Sequence, residues 1–241
     1  MKIKAYYRIS DAGYSKIKPE YVNNKNCLLN FVNVFQPEFG ELKIYADNTS
    51  KETDDMIRSV AKIEPIKIYE GSSAKSFRHV FEKAIVENDD DTIIYFVEND
   101  YIHRIDSRKI LLEGIEMGSS YVALYDHIDK YMDADKGGNP EVEGGGEMTQ
   151  VFLTKSCHWK LTNSSTMTFA STVKNLKEDV YLIRKHTSGT YPTDYQMFVE
   201  LRQLGKTLVT PIPGYSTHGE THWLTPLINW EEVMLNSIKE I

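Results

Sequence analysis

Up to about residue 104 the chain alternates between two kinds of apolar pattern, and this alternation limits the fold more than any other feature. Lys2 to Ile9 (KIKAYYRI), Glu41 to Asp47 (ELKIYAD), Ile66 to Gly71 (IKIYEG) and Thr92 to Asn99 (TIIYFVEN) are short and rich in β-formers. Between them, Tyr21 to Phe35 carries Cys27, Leu28, Phe31, Val32 and Phe35 at helical spacing. Ser50 to Ala61 repeats that spacing with Met56, Ile57 and Val60, and has Thr49 or Ser50 as its cap. Ser73 to Glu87 reads as a third helix. Strands joined through helices cannot form tight hairpins, so they pair in parallel, with helices over both faces. The expected class is α/β with a mainly parallel central sheet flanked by helices.

The second half has a different texture. MDADKGGNPEVEGGGEM (Met132 to Met148) cannot build a core and reads as a mobile loop or hairpin tip. VFLTKSCHWKL and SSTMTFAS look like antiparallel strands, giving a smaller antiparallel part in this half. Thr193 to Leu204 is an amphipathic helix ended by Gly205, followed by a late strand and the His-bearing YSTHGETHW. The 241 residues suit one domain, with residues 1–104 as its ligand-binding half and 105–241 as the half that meets a second substrate. A net charge of −7 leaves no basic stripe for nucleic acid, so an anionic ligand must be held by local groups. No apolar stretch approaches the ~20 residues of a membrane span, and the N-terminus has no signal-like apolar core. Together with the two isolated cysteines, Cys27 and Cys157, this predicts a soluble, cytoplasmic protein.

Ligands of parallel sheets gather at the carboxyl ends of the strands. Here those ends carry Ser10 and Asp11, Asp47 and Asn48, Gly71 to Ser73, and Glu98-Asn99-Asp100. Two carboxylates so close raise each other's pKa unless a positive charge lies between them. Mg²⁺ or Mn²⁺ prefers oxygen ligands and commonly bridges one or two carboxylates to phosphate, so Glu98 and Asp100 are candidate metal ligands. The alternative is a turn cap at Asp100 and a solvated strand end at Glu98. GSSAKSFR offers free helix-start amides together with Ser73, Ser76 and Arg78, although Ser73 also suits a plain N-cap.

The run GSSAKSFRHVFEKAIVENDDDTIIYFVENDYIHR resembles the middle of a GT-A glycosyltransferase, where a helix and an apolar strand lead into a DxD-type metal motif, written E-N-D here. YPTDYQMFVELRQLGKTLVTPIPGYSTHG is similar to the late acid-bearing helix and final strand of such enzymes. Within that family the pattern resembles small glycosyltransferases of large algal viruses and bacterial capsule or lipopolysaccharide enzymes. The resemblance implies a GT-A (nucleotide-diphospho-sugar transferase) fold and transfer of a sugar from a UDP-, GDP- or dTDP-linked donor to a hydroxyl of a glycan or glycoconjugate. It places Tyr7, Arg8, Ile9 and Ser10 along the base and ribose, and Asp47 as a reader of the base. It assigns Glu98, Asn99 and Asp100 to the donor and its Mn²⁺ or Mg²⁺, and His218 to the metal or the diphosphate. Asp194, which opens the late helix, looks like the base of an inverting reaction; Glu147, Glu178 and Asp179 are the competing acids, and a first-turn helix acid is the plain reading of Asp194.

His222 competes with His218, while surface exposure is the simpler expectation for His103 and Arg104. Trp159, Trp223 and Trp230 offer faces for a sugar ring, though an isolated tryptophan is more often core. Two rival functions remain open on these residues. One is a nucleotidyltransferase, disfavoured because RISDAGYSKIK holds a single glycine; the other is a non-catalytic nucleotide-sugar or glycan-binding domain.

Overall fold

The computed structural model describes residues 2–12 and 16–239; Gly13, the single glycine of the loop after the first strand, lies outside them. Strands β1 (Ile3–Ser10), β2 (Leu42–Asp47), β3 (Ile66–Ile68) and β4 (Ile93–Glu98) are mutually parallel in the order β3-β2-β1-β4. Helices α1 (Asn24–Phe35), α2 (Lys51–Ala61) and α3 (Ser73–Glu87) make the crossovers. Burial on both faces explains the continuous apolar runs of these strands. Along β1, Ala5, Tyr7 and Ile9 enter the core layer under α1 and α2, while Tyr6 enters the layer under α3. Each helix starts where a polar side chain takes a first-turn amide: Asn23 bonds Asn26 N, Ser50 bonds Thr53 N, and Ser72 bonds Lys75 N. The cap of α3 is therefore Ser72 and not Ser73.

After β4 the chain forms β5 (Tyr101–His103), α4 (Ser107–Glu116) and β6 (Tyr121–Val122). Strands β7 (Val151–Leu153), β8 (His158–Leu161) and β9 (Phe169–Thr172) follow, then α5 (Val173–Glu178), α6 (Val180–His186), α7 (Asp194–Gln203), β10 (Leu208–Ile212), β11 (Ser216–His218), a 3-10 turn at Thr221–Trp223 and α8 (Trp230–Ile238). The full sheet has the order β3-β2-β1-β4-β9-β6-β10-β8-β7. Strand β9 runs antiparallel to β4 and β6, and β7 and β8 add the expected antiparallel edge. A separate antiparallel ribbon, β11-β5, pairs His218 with Tyr101. It returns a distant segment to the carboxyl end of β4. Among the described residues no helix is long and apolar enough to cross a membrane.

The glycine-rich stretch departs from expectation. Instead of standing free, it is fastened by side chains: Asn139 and Asn163 exchange amide hydrogen bonds of 3.1 and 2.7 Å, and buried Lys130 donates to Ser164. Glu147 N donates to Lys130 O at 2.9 Å. A Cβ at Gly138 would lie 1.9 Å from the Met132 carbonyl oxygen, so that turn needs its glycine. Hydrophobic periodicity carries no trace of such polar pairing, which is why the stretch reads as loose.

Candidate active site

Parallel register places Arg8 beside Glu98 and Ser10 beside Asp47 at one edge of the sheet. Tyr7 and Ile9 point into the core, and their backbone lies in the ladders that join β1 to its neighbours, so neither is placed to meet a ligand. Arg8 is buried over the Phe77 ring, and its Nη2 pairs with Glu98 Oε1 at 3.0 Å while Nη1 donates to the Ser73 carbonyl at 3.1 Å. The other Glu98 oxygen accepts from the Thr168 hydroxyl at 3.3 Å. Both oxygens of Glu98 are thus engaged by protein groups.

Asp100 occupies the turn between β4 and β5 and faces a different set. Its Oδ2 accepts from Lys18 Nζ at 2.8 Å and lies 3.1 Å from His218 Nε2. The β5–β11 register delivers His218, whose ring stacks on Tyr101 with centroids 5.3 Å apart. Glu220 lies 3.5 Å from the other His218 nitrogen and also pairs with Lys16. Burial pushes the Asp100 carboxyl up, yet the neighbouring His218 and Lys18 prevail and hold it well below the usual range. Asn99 donates to Asn24, and Asn24 in turn donates to the Ser10 carbonyl, tying the β4 turn to the end of β1.

Asp194 arrives from the other half of the molecule at the start of α7. Thr193 forms no side-chain cap, its hydroxyl bonding His186 instead, while Asp194 Oδ1 accepts from the Tyr195 amide at 2.8 Å. Burial raises the Asp194 carboxyl to about 6; the Tyr195 hydrogen bond opposes the rise, the charge of Glu98 adds to it, and His218 opposes it again. Lys16 completes the group: burial lowers its ammonium pKa, and Asp100, Glu98 and Asp194 all pull it back. Charged or ionisable side chains from β1, the Lys16–Lys18 loop, the end of β4, the β11 segment and α7 therefore meet at one edge. The arrangement suits a polyanion over the cations, with a carboxylate of near-neutral pKa beside it.

The remaining candidates are placed as follows. Asp47 is buried, and its Oδ1 accepts from the amides of Glu70 and Gly71 at 2.9 and 3.3 Å and from the Asn48 side chain, which fixes the turn before α3. Its Oδ2 has no hydrogen bond among the described residues. Ser76 is buried in α3, and Arg78 reaches toward α6 to the Arg184 carbonyl at 3.3 Å. Asp179 accepts from Tyr121, the first residue of β6, and shares Lys206 with Glu178; both acids lie at the opposite edge of the sheet. Glu147 faces Lys160 at 3.5 Å and accepts from Thr162 and Asn163. His103, expected at the surface, is fully buried against Tyr95 and burial drives its pKa down to about 3. Arg104 lies over the Tyr215 ring, and His222 is exposed. Lys16, Lys18 and Thr168 escape sequence reasoning. The only written signal is the pair of lysines in SKIK, which reads like any solvated loop.

Among the described residues no three His, Cys, Asp or Glu side chains converge as ligands for a metal ion. Asp100 and His218 do meet at one point, and Asp100 Oδ1 has no hydrogen bond among the described residues, so this pair fits a hard cation that takes its other ligands from phosphate and water. Glu98, tied to Arg8, does not fit that role.

No family model and no curated protein matches the sequence. Among solved structures, a CMP:2-keto-3-deoxy-manno-octonic acid synthetase complexed with CTP superposes with a TM-score of 0.51 at 13% identity over the whole of both chains. A 4-diphosphocytidyl-2C-methyl-D-erythritol synthase from Anaerococcus prevotii gives 0.43 at 12% identity, covering 98% of this chain and 95% of its own. Mouse xyloside xylosyltransferase 1 gives 0.44 at 8% identity, covering 86% and 84%. The likeness to the synthetase is one of fold: a mixed α/β architecture with a large, mostly parallel central sheet flanked by helices, the class the sequence pattern implies.

Proposed function

We propose that the chain is an inverting glycosyltransferase that moves a sugar from a nucleotide-diphosphate donor to a hydroxyl of a glycan or glycoconjugate. The observation that carries this reading is Asp194, whose carboxyl is raised to about 6 within electrostatic reach of Glu98 and His218. A general base works best with a pKa near the working pH, and an ordinary surface aspartate falls well below it. In the proposed step the acceptor oxygen bonds the anomeric carbon, the bond from that carbon to the diphosphate oxygen breaks, and the hydroxyl proton passes to Asp194. Lys16 and Lys18 meet the departing diphosphate. Mn²⁺ or Mg²⁺ held by Asp100 and His218 would supply Lewis-acid stabilisation of that leaving group. Arg8 keeps Glu98 in place as a fixed negative charge that holds Asp194 basic. The Asp47 Oδ2 is available to the nucleoside.

A second reading, nucleotidyl transfer, draws support from Lys16 and Lys18, since two ammonium groups on one loop also suit a triphosphate. The products separate the two. Release of a nucleoside diphosphate from a nucleotide sugar, lost in Asp194→Asn, supports glycosyl transfer; release of pyrophosphate from a nucleoside triphosphate with a sugar or sugar phosphate overturns it.

A further inference from the structure

Lys16 and Lys18 reach the two acids that flank the His218 ring. Lys18 Nζ lies 2.8 Å from Asp100 Oδ2, the oxygen that also lies 3.1 Å from His218 Nε2. Lys16 pairs with Glu220 Oε1, which lies 3.5 Å from His218 Nδ1. Between the two lysines the loop is anchored through its backbone, since the Thr221 amide donates to the Ile17 carbonyl at 2.9 Å. The Lys18 side chain is 32% exposed, unlike that of the structural Lys130, which is 2% exposed. Its flexible four-carbon stem can therefore swing on a fixed backbone.

Neighbouring ligands of an octahedral Mg²⁺, at about 2.1 Å each, lie about 3 Å apart. Asp100 Oδ2 and His218 Nε2, 3.1 Å apart, already have that spacing, so a divalent cation fits between them with neither atom moved. It does not fit beside the Lys18 pair. An ammonium 2.8 Å from Oδ2 would stand within about 5 Å of the ion, two like charges on one carboxylate oxygen. We propose that Lys18 is an exchangeable counter-ion, which yields Asp100 Oδ2 to Mn²⁺ or Mg²⁺ and carries its ammonium to the diphosphate of the donor. Phosphates that draw Lys18 away leave Asp100 free for the metal, and a metal on Asp100 leaves Lys18 free for the phosphates. Each ligand then tightens the other by the same factor. A lysine fixed on Asp100 gives no such coupling, because it repels the ion whether or not phosphate is bound. The inference rests on the glycosyltransferase reading and adds how metal and donor come to depend on each other.

The test measures Mn²⁺ binding to the full chain from the paramagnetic resonance of the free ion, alone and with saturating UDP, GDP, dTDP or CDP. In Lys18→Met, Mn²⁺ alone is expected to bind roughly tenfold more tightly than in wild type, since no ammonium has to be displaced. The further tightening caused by whichever nucleotide binds is expected to shrink by the same factor, leaving Mn²⁺ affinity in the ternary complex little changed. Lys18→Arg, which keeps the charge, stays close to wild type in both. Unchanged or weaker binding of Mn²⁺ by Lys18→Met overturns the exchange. So does a gain of equal size with and without nucleotide, the mark of a lysine that never leaves Asp100. Release of nucleoside diphosphate from nucleotide sugars by the wild-type chain reports separately on the glycosyltransferase reading. If that release is seen and Lys18→Met shows no gain, the exchange alone fails; if neither Mn²⁺ nor any of the four nucleotides binds, both fail.

Discussion

At the scale of single residues, Asp194 carries opposed demands. Its folded pKa of about 6 lies above the 3.8 of a free aspartate, so ionisation is disfavoured by folding. Below pH 3.8 both states are protonated and nothing is lost; above about 6 the full penalty, on the order of 2–3 kcal/mol, weighs on the fold. Asp194→Asn is therefore expected to unfold at higher urea than wild type at pH 8, with the gain shrinking as the pH falls toward 4, while turnover drops at least about a hundredfold. Wild-type turnover should in turn rise with pH through about 6, the limb on which Asp194 loses its proton. A flat profile between pH 5 and 7 (bounds chosen about that value) would move the base elsewhere. Arg8 behaves in the opposite way. Its removal as Arg8→Met strands Glu98 without its cation and is expected to cost about 3–5 kcal/mol in urea unfolding, with Arg8→Met/Glu98→Gln recovering part of that loss.

At the scale of elements, the first four strands and three helices were readable because each repeats one simple period and begins on a capping side chain. Their carboxyl ends could be found from the same pattern, and with them Asp47, Glu98 and Asp100. The convergence of the rest is not in the periodicity: His218 and Asp194 are named only through the resemblance to glycosyltransferases, and Lys16 and Lys18 not at all. His218 reaches Asp100 only through the short β5–β11 ribbon, Asp194 comes from α7, and Lys18 comes from a loop with no regular pattern. Each depends on pairing over long sequence separations, to which local periodicity is blind. The ribbon has its own test. Gly219 N donates to the Asp100 carbonyl at 2.7 Å, and a Cβ at Gly219 would lie 2.5 Å from Val22 Cγ1 and 2.7 Å from that carbonyl. Gly219→Ala is expected to push β11 away from Asp100, weaken nucleotide binding, and cost about 1–3 kcal/mol of stability in thermal unfolding. Unchanged binding would show that the ribbon does not position the site.

At the scale of the whole molecule, a chain of net charge −7 gathers Lys16, Lys18 and Arg8 at one edge of its sheet, each paired with an acid of that edge, Glu220, Asp100 and Glu98. A fold does not fix a chemistry, so the function lies in these paired cations and in the acid beside them. The central claim is that this edge holds the diphosphate of a nucleotide sugar. It is tested most directly by calorimetric titration of the chain with UDP, GDP, dTDP and CDP, each with Mn²⁺ and again with a chelator. The account predicts that one nucleotide binds, that chelation or Asp100→Ala weakens it, and that added salt weakens it further. If none of the four binds with or without the metal, the meeting of Asp100, His218, Lys18 and Asp194 is a structural ion cluster and the transferase account is wrong.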